Sequence, residues 1–419
     1  MPRPPLPPGP YLVVGLARSG LAAGLALASR GEQVVGVDSG TPQVTVDPGF
    51  PIHLGEDGMD LLEDFARPIG AVVKSPGVPP RAAVVAAARE RGIPVLGELE
   101  LGWRLVPLEV VAVTGTNGKT TVAQWLGHVH RVAGAPVHVV GNVGTAYTSL
   151  IDDHVPGATV VVECSSYQLH DTAAFRPEVG VLLNAGSDHL DWHGSVEAYR
   201  RAKLHGMFSR QVPADTAIAP GAFAPLPGDG TFVDLDLVEL PVEPGLPGEH
   251  NRRNAKAVVA ACRARGIGED AIAESLRTFP GVEHRLQPLG VRGGVRFVND
   301  SKATNVESAL TALAAMDAPV HLILGGDDAK QEDFAPLRDP VRRSCASVQL
   351  VGEAAGRLRE ALGTGTDRGD LEHAVAAAVA AAAPGEIVLL APACASFGQY
   401  RDFEERGRHF AALVGALAE

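Results

Sequence analysis

Cysteines, basic charge and long apolar runs are scarce in this chain of 419 residues. The four cysteines lie far apart and form no C-x-x-C pair, which fits a reducing compartment and excludes a zinc site made of cysteines. The proline-rich residues 1–8 contain no apolar segment, and no apolar run reaches the length of about 18 residues that a membrane helix needs. We therefore expect a cytoplasmic protein without a signal peptide and without membrane insertion.

The charge and the lysine content narrow the possible partners. The formal net charge is −13, so the basic surface that nucleic-acid binding requires is not expected. Only six of the 36 basic residues are lysine. Where a chain that prefers arginine keeps a lysine, a compact ammonium or a nucleophilic amine is indicated. The six are Lys74, Lys119, Lys203, Lys256, Lys302 and Lys330.

The most specific pattern is TGTNGKTT at residues 114–121. It lies between an apolar, strand-like segment at 110–113 and a helix-like segment, which is the setting of a phosphate-binding loop. Small residues let backbone N–H groups point inward, while Lys119 supplies a point charge and Thr120 a hydroxyl for Mg²⁺. Val113 stands in place of the first glycine of G-x-x-x-x-G-K-[ST]. A tight strand-to-helix turn is the alternative, but the Lys-Thr-Thr run favours phosphate binding.

The first segment begins like a nucleotide-binding βαβ unit. A strand at residues 11–14 is followed by a glycine turn at 15–20, a helix and a second strand that ends in Asp38. Ala17 replaces the middle glycine of G-x-G-x-x-G, so the pattern indicates NAD only weakly. A later strand runs into a second turn at 75–77, which either faces a ligand or reflects loop geometry alone.

Polar residues end two strands of the second segment, which begins near residue 98. Glu163 follows an apolar strand at 159–162, and His189 lies in the polar stretch after a strand at 179–183. Ligands of open parallel sheets bind beyond the carboxyl ends of strands, so we expect both residues near the phosphate loop.

Three residues of this segment each allow two interpretations. The carboxylate of Glu163 either holds Mg²⁺ beside a phosphate or accepts hydrogen bonds from the N-terminus of a helix. His189, among acidic residues, is either a ligand or a structural hydrogen-bonding group. Lys203 falls in a predicted helix at 196–204, where the pattern alone suggests no more than a solvated lysine.

The third segment, from about residue 281, again alternates strands with helices. Three of its strands run directly into clusters of polar or small residues, and three such strand ends in succession favour a ligand site over chance. The clusters are residues 299–305, 325–330 and 392–397. The whole pattern predicts an α/β protein of three domains, each with a mostly parallel, doubly wound sheet. We expect a Rossmann-like N-terminal domain, a P-loop-type central domain and a Rossmann-like C-terminal domain.

Together these motifs resemble the Mur ligase family over nearly the whole chain. Residues 114–121, 141–144 and 163–169 are similar to elements shared across that family, which ligates carboxylates to amines with ATP. Residues 299–305 and 392–407 resemble the member that adds D-glutamate. The sequence Asp-Asn-Pro-Arg, which the diaminopimelate-adding member would show, does not occur. Two further elements of the likeness are residues 184–191 and 250–254.

The resemblance implies a reaction, its cofactors and a division of the chain into domains. We expect ATP-dependent addition of D-glutamate to UDP-N-acetylmuramoyl-L-alanine through an acyl phosphate, in cytoplasmic peptidoglycan synthesis for the cell wall. ATP and Mg²⁺ would be required, and the protein would act as a monomer. The implied domains are a UDP-substrate-binding domain at 1–97, a central ATPase domain at 98–281 that binds ATP, and an amino-acid-binding domain at 282–419.

The resemblance also implies a set of site residues, which fall into four groups. The UDP substrate would be bound by Gly15, Leu16, Ala17, Arg18, Ser19, Asp38, Ser39, Ser75, Gly77, Asn142 and Ser165. ATP would be bound by Gly115, Thr116, Asn117, Gly118, Lys119, Thr120, Thr121, Asn254, Arg285 and Asp300. D-glutamate would be bound by Lys302, Thr304, Lys330, Ser396 and Phe403. The catalytic set would be Lys119, Asn142, Glu163, His189 and Lys203.

Mg²⁺ would lie near Thr120, Glu163, His189 and Lys203, the last as a carbamylated lysine. An ammonium repels the ion, whereas a CO₂ adduct turns the lysine into a carboxylate-like anion. Lys330 follows its Gly-Gly pair one residue later than is usual for the family, so the sequence departs from the family pattern at this position.

Three other functions compete with this one. Another Mur-family ligase or a folate-type ligase shares the chemistry, but the folate type lacks a UDP-binding first domain. An NAD-dependent oxidoreductase leaves the phosphate loop in mid-chain unexplained. A non-catalytic nucleotide switch would release phosphate without any dependence on an amino acid.

Overall fold

The structure, a computed structural model, describes residues 3–42, 44, 47–64, 68–142, 144–328 and 333–417. Strands and helices alternate along the chain and form three sheets. The chain divides into two compact units, Met1–Phe279 with two of the sheets and Pro280–Glu419 with the third. The predicted α/β class with mostly parallel sheets is confirmed, whereas the three domain boundaries remain predictions.

The first sheet is parallel, with apolar strands covered on both faces. Its strands are β1 (Tyr11–Val14), β2 (Val34–Asp38), β3 (Ile52–Leu54), β4 (Ala71–Lys74) and β5 (Val95–Gly97). The strand order is β3-β2-β1-β4-β5. Alternate residues of β1 pack into different cores, with Tyr11 and Val13 on one face and Leu12 and Val14 on the other. The helices of this part are α1 (Arg18–Ser29), α2 (Met59–Glu63) and α3 (Ala83–Glu90).

A helix, α4 (Glu98–Leu105), leads from β5 into the second sheet. The strands of that sheet are β6 (Glu109–Thr114), β7 (Val137–Gly141), β8 (Thr159–Glu163), β9 (Val179–Leu182), β10 (Thr216–Ala219) and β11 (Thr231–Asp234). They are parallel, in the order β11-β10-β9-β6-β8-β7. The carboxyl end of β6 therefore lies between those of β8 and β9, where a doubly wound sheet binds ligands. The helices are α5 (Lys119–Val132), α6 (Ser166–His170), α7 (Leu190–His193), α8 (Val196–Phe208), α9 (Glu249–Ala264) and α10 (Glu269–Thr278).

The third sheet makes up the second unit and is mixed. Its strands are β12 (Gln287–Arg292), β13 (Val295–Asn299), β14 (Val320–Gly325), β15 (Cys345–Val351), β16 (Thr366–Gly369) and β17 (Ile387–Leu390). The order is β12-β13-β17-β14-β15-β16, and only the pairing of β12 with β13 is antiparallel. The helices are α11 (Val306–Ala314), α12 (Arg338–Ser344), α13 (Ala355–Leu362), α14 (Leu371–Ala381) and α15 (Phe403–Gly415).

Short 3₁₀ turns complete the secondary structure, at Tyr147–Leu150, Gly221–Phe223, Leu235–Leu237 and Ala335–Leu337. Across the part of the chain that is described, no helix is both long and apolar enough to cross a membrane. The alanine-rich helix α14, for example, has 11 residues and spans about 16 Å.

Candidate active site

The predicted phosphate loop joins β6 to α5. Helix α5 begins at Lys119, so the N–H groups of its first turn have no acceptor within the helix and face the loop. Gly118 precedes the helix with φ of 88°, and a Cβ at this position would lie 2.6 Å from Oδ1 of Asn254. The loop therefore requires glycine here, and it brings the predicted ATP-binding residue Asn254 against the start of α5.

Asn184 fixes the shape of the loop and was missed as a site residue. Its Oδ1 accepts the N–H groups of Thr116 and Asn117 at 2.8 and 3.0 Å, and its Nδ2 donates to the carbonyl of Asn117 at 3.2 Å. Asn184 follows β9, the neighbour of β6. Its position at a polar strand end was visible in the sequence, but its partners were not.

Two lysines converge on the same loop carbonyl. Nζ of Lys119 donates to the carbonyls of Gly115 and Thr116, both at 2.9 Å. Nζ of Lys203, on α8, donates to the carbonyl of Gly115 at 2.9 Å and lies 3.4 Å from Oγ1 of Thr114. The prediction that Lys203 belongs to this site is thus supported by contact, and the alternative of a solvated lysine is wrong, because its exposure is 1%.

Burial changes the chemistry of Lys203. Its pKa lies well below the ordinary value of a lysine, chiefly because burial penalises the ammonium and next because of the charge of Lys119. Nζ also lies 4.7 Å from the ring centroid of Tyr199. A lowered pKa makes the neutral amine accessible, and the neutral amine is the form that attacks CO₂.

Glu163 and Asn142 form a second pair beside the loop. Glu163 ends β8 opposite Val113 in the register of β6, and its side chain is almost wholly buried. Nδ2 of Asn142 donates to Oε1 of Glu163 at 3.1 Å. Ser165 caps α6 with its own side chain in a capping box with Gln168, so its hydroxyl has a local role whatever else it binds.

The donor set near the loop suits Mg²⁺ better than a transition metal. Mg²⁺ is held in proteins by one or two carboxylates and keeps several waters, and Glu163 and Thr120 offer a buried carboxylate and a hydroxyl. Among the described residues, no group of three or more His, Cys, Asp or Glu side chains is close enough to enclose a metal. A carboxylate and a hydroxyl are oxygen donors of the kind that Mg²⁺ prefers, so Glu163 and Thr120 fit that ion.

His189 lies in the polar stretch that follows β9. Its φ of 54° is unusual for a residue with a side chain, and it directly precedes the short helix α7. Its Nε2 lies 3.5 Å from Oδ2 of Asp188, and its ring packs 4.7 Å from that of Tyr167. The structure thus gives it acidic and aromatic neighbours, and its part in metal binding stays a prediction.

The turns predicted to bind UDP line one cavity of about 350 Å³ beyond β1, β2 and β4. Its lining includes Gly15, Ala17, Asp38, Ser39, Ser75 and Gly77, together with Glu56, Asp57 and Val78. Asp38 also holds the glycine turn itself, because its Oδ2 accepts the N–H of Leu16 at 2.6 Å. Glu56 and Asp57 were missed, since they precede α2 in a stretch without a recognisable motif.

Five predicted UDP-binding residues do not line that cavity, namely Asn142 and Ser165 of the second sheet and three residues of the glycine turn and α1. The side chain of Leu16 is buried in the core of the first sheet. Arg18 is exposed and donates to the carbonyl of Asn142 at 3.2 Å, so it points towards the second sheet of the unit. Ser19 lies in the first turn of α1 and is only partly buried.

In the second unit, most residues predicted to bind the adenosine and the amino acid follow β13 or β17, whereas Arg285 precedes β12 and Phe403 begins α15. Burial raises the pKa of Asp300 to about 6, against the opposing charge of Arg285. Nζ of Lys302 lies 5.0 Å from the ring centroid of Phe403, at the start of α15. Ser396 is buried after β17. Thr304 lies in the same strand-end loop as Asp300 and Lys302, and Lys330 falls outside the described residues.

Arg406 organises these loops and was also missed. Its guanidinium is 2% exposed and donates to main-chain carbonyls after three neighbouring strands, β13, β17 and β14. The acceptors are the carbonyls of Ser301, Cys394, Ala395 and Gly325 and the hydroxyl of Ser301, at 2.9 to 3.5 Å. The sequence motif 403–407 was recognised, but the contacts made by Arg406 were not evident from it.

Comparisons with known proteins all find Mur ligases, both for separate parts of the chain and for nearly its whole length. Residues 113–222 match the Mur ligase middle domain, and residues 284–394 match the Mur ligase, glutamate ligase domain. A UDP-N-acetylmuramoylalanine--D-glutamate ligase of Rubrobacter xylanophilus is 40% identical, with 96% of this chain and 98% of the relative covered. One of Pelotomaculum thermopropionicum is 37% identical, with 97% of each covered. The solved UDP-N-acetylmuramate-alanine ligase of Thermotoga maritima has the same fold, with a TM-score of 0.61 at 18% identity over 97% of this chain and 99% of that one.

Proposed function

This chain belongs to the Mur ligase family, and on that basis we propose that it is the ATP-dependent ligase that adds D-glutamate to UDP-N-acetylmuramoyl-L-alanine. The observation that carries the proposal is the near full-length identity of 40% and 37% to ligases named for this reaction. The reaction belongs to peptidoglycan synthesis, and we place it in the cytoplasm.

The chemistry must overcome the resistance of a carboxylate to attack by an amine. The carboxylate of the sugar-linked substrate attacks the γ-phosphorus of ATP, which gives an acyl phosphate and ADP. The amine of D-glutamate then attacks the activated carbonyl, orthophosphate leaves, and the amine loses a proton. Phosphorylation thus converts a poor leaving group into a good one, and the enzyme contributes position and charge.

The phosphate loop supplies most of that charge. The first turn of α5 directs its N–H groups and the positive end of the helix dipole at the phosphates. Lys119 starts this helix and lies against the loop, and its ammonium offsets the charge that develops as the terminal phosphoryl group moves. Asn184 keeps the loop in one shape through its bonds to Thr116 and Asn117.

Mg²⁺, when bound, neutralises the phosphate oxygens on which the transfer depends. Glu163 and Thr120 are the residues that would hold it, and His189 and a carbamylated Lys203 are the further candidates. Asn142 orients the Glu163 carboxylate through its hydrogen bond to Oε1. His189 is also our candidate for the base that accepts the proton of the amine.

The likeness to the Mur ligase family implies carbamylation of Lys203, and its buried, less basic amine supports this proposal. The neutral nitrogen forms a bond to the carbon of CO₂ and releases one proton to solvent, which leaves an anionic carbamate. We expect Lys203→Ala to be nearly inactive and to be partly restored by formate or acetate, which replace the missing anion. Normal turnover of that variant in CO₂-free buffer would remove Lys203 from the mechanism.

The remaining roles follow the predicted domains, 1–97 for the UDP substrate, 98–281 for ATP and 282–419 for the amino acid. Asn254 would contact ATP from the start of α9, and Arg285 and Asp300 would contact its adenosine. Lys302, Thr304, Lys330, Ser396 and Phe403 would hold D-glutamate.

The direct test is a panel of amino acids supplied with UDP-N-acetylmuramoyl-L-alanine and MgATP, with ADP release as the measurement. We expect release with D-glutamate and little with L-glutamate, L-alanine or meso-diaminopimelate. Release with L-alanine on the unsubstituted sugar nucleotide would assign the chain to another member of the family. Phosphate release without any amino acid would favour a nucleotide switch.

A further inference from the structure

Lys74 is one of two lysines to which the sequence patterns assign no role, and the structure buries it completely. It ends β4, and its Nζ lies within contact of three oxygens. The distances are 2.6 Å to the carbonyl of Val78, 3.2 Å to the carbonyl of Ser75 and 2.8 Å to Oδ2 of Asp171. The last contact is an ion pair without the alignment of a regular hydrogen bond.

The first two oxygens belong to a turn that forms a wall of the substrate cavity. The N–H of Val78 donates to the carbonyl of Ser75 at 3.1 Å, so residues 75–78 curl around the ammonium. Ser75, Gly77 and Val78 line the cavity. The turn also packs on the first glycine turn, since a Cβ at Gly15 would lie 2.7 Å from Cγ2 of Val78. A displaced turn would therefore change the shape of the cavity.

The third oxygen connects this turn to the second sheet. Asp171 directly follows α6, the helix that begins three residues after Glu163, and its side chain is 1% exposed. Its carboxylate also lies 3.4 Å from Arg89 and 3.0 Å from Nδ1 of His170. Its carbonyl accepts the N–H of Gly97, at the end of β5, at 3.4 Å. The pair thus joins the cavity of the first sheet to the helix beside the predicted catalytic carboxylate.

We propose that Lys74 is a positioning residue for the sugar-nucleotide substrate. Its ammonium holds the 75–78 turn in the shape that binds the nucleotide and, through Asp171, fixes that turn relative to α6. The substrate carboxylate is thereby presented at the phosphate loop. This role rests on the function proposed above for the chain.

Stability alone does not account for this arrangement. A buried ion pair is often no more stable than apolar side chains of similar volume, whereas removing one partner leaves a buried charge and is costly. A compact ammonium can meet three oxygens of different orientation at once, which the planar guanidinium of arginine does less well. We therefore infer that these contacts fix the position of the 75–78 turn and add little to the stability of the packing between the two sheets.

The experiment compares Lys74→Met with the double variant Lys74→Met/Asp171→Leu, which leaves no lone buried charge. We expect both to raise the KM for UDP-N-acetylmuramoyl-L-alanine about tenfold or more, with the KM for ATP and D-glutamate within about twofold of wild type. The affinity for UDP, measured by calorimetry, should fall by a similar factor. Lys256→Met is the matched control, because Lys256 lies at the surface and donates to the carbonyl of Asp236, and all constants should stay unchanged.

The outcomes separate this role from a structural one and from failure of the proposed function. A double variant that folds like wild type and keeps the raised KM supports the positioning role. A native KM and native UDP affinity in either variant, with only a lower melting temperature, would overturn it. If wild-type enzyme releases no ADP with any amino acid, the proposed ligase activity is wrong, and UDP affinity still decides the role of Lys74.

Discussion

Single residues decide the shape of the phosphate loop, and Asn184 is the clearest case. One side chain satisfies two loop N–H groups and one loop carbonyl. A buried donor without its acceptor costs about 1–3 kcal/mol, so these hydrogen bonds favour the observed shape of the loop.

Asn184→Leu should therefore weaken ATP binding. The leucine side chain fills a similar volume but offers no acceptor to the N–H of Asn117, and it leaves the N–H of Thr116 only the main-chain carbonyl of residue 184, at 3.2 Å. We expect the KM for ATP to rise about tenfold, which corresponds to about 1.4 kcal/mol. The KM for the sugar nucleotide serves as the internal control and should not change. Equal increases in both constants would mean that the substitution disturbs the whole unit instead of the loop.

Lys203 makes a prediction for the pH dependence of stability. The folded state lowers its pKa, so between that pKa and the ordinary value the unfolded chain binds one more proton than the folded chain. In CO₂-free buffer, the free energy of unfolding of wild type should therefore fall relative to Lys203→Met as the pH falls through this window. The slope should be about 1.4 kcal/mol per pH unit. Urea unfolding at several pH values measures it, and a difference independent of pH would show that the amine keeps its ordinary pKa.

At the scale of strands and helices, both units use loops at carboxyl ends of neighbouring parallel strands. In the second unit these loops follow β13, β14 and β17, and Arg406 of α15 joins them. Every N–H group of the Arg406 guanidinium donates to a main-chain carbonyl or to the hydroxyl of Ser301, so none is left to bind the amino acid. Arg406 therefore fixes the positions of the loops.

Arg406→Lys should lower the affinity for D-glutamate. Lysine has three donors on one atom and cannot reach carbonyls after three strands, so we expect the KM for D-glutamate to rise at least about tenfold, with the KM for ATP within about threefold of wild type. Arg408→Lys, at an exposed position of the same helix, is the control. An unchanged KM for D-glutamate would show that the loops keep their positions without the guanidinium.

The elements with strong patterns were predictable from the sequence. The strand expected at 387–390 is β17, and the helix expected at 196–204 is the first part of α8. The apolar run Ile387–Leu390 explains the strand, and the helix-forming alanine, arginine, lysine and leucine residues at 196–204 explain the helix. The strand β12 was missed, because its sequence, QPLGVR, contains proline and glycine and because it lies, largely exposed, at the edge of the sheet.

Contacts between residues that lie far apart in the sequence could not be predicted from the sequence patterns. Lys74 and Asp171 are 97 positions apart, and Asn184 lies 67 or 68 positions from its loop partners (171 − 74, 184 − 117 and 184 − 116). Such pairs depend on the order of strands, which the sequence patterns do not specify. The motifs therefore indicated which strand ends carry function, but not which side chain holds which loop.

At the scale of the whole molecule, the chain separates into residues 1–279 and 280–419. The second unit has its own sheet with an apolar core on each face, one around Leu322 and Leu350 and one around Val388 and Phe410. A unit with a complete core can fold alone.

We therefore expect residues 280–419, expressed alone, to unfold in one cooperative transition. Circular dichroism in urea measures it, and the transition should coincide with one monitored by hydrogen exchange of β14 and β17. A gradual loss of signal without a transition would show that this unit requires the rest of the chain.

The central claim is that the substrate carboxylate is activated by direct transfer of the terminal phosphoryl group of ATP. If the carboxylate oxygens of UDP-N-acetylmuramoyl-L-alanine carry ¹⁸O, one labelled oxygen should appear in the orthophosphate released in each turnover with D-glutamate. Mass spectrometry of that orthophosphate is the measurement. Unlabelled orthophosphate, or label in AMP, would contradict the account.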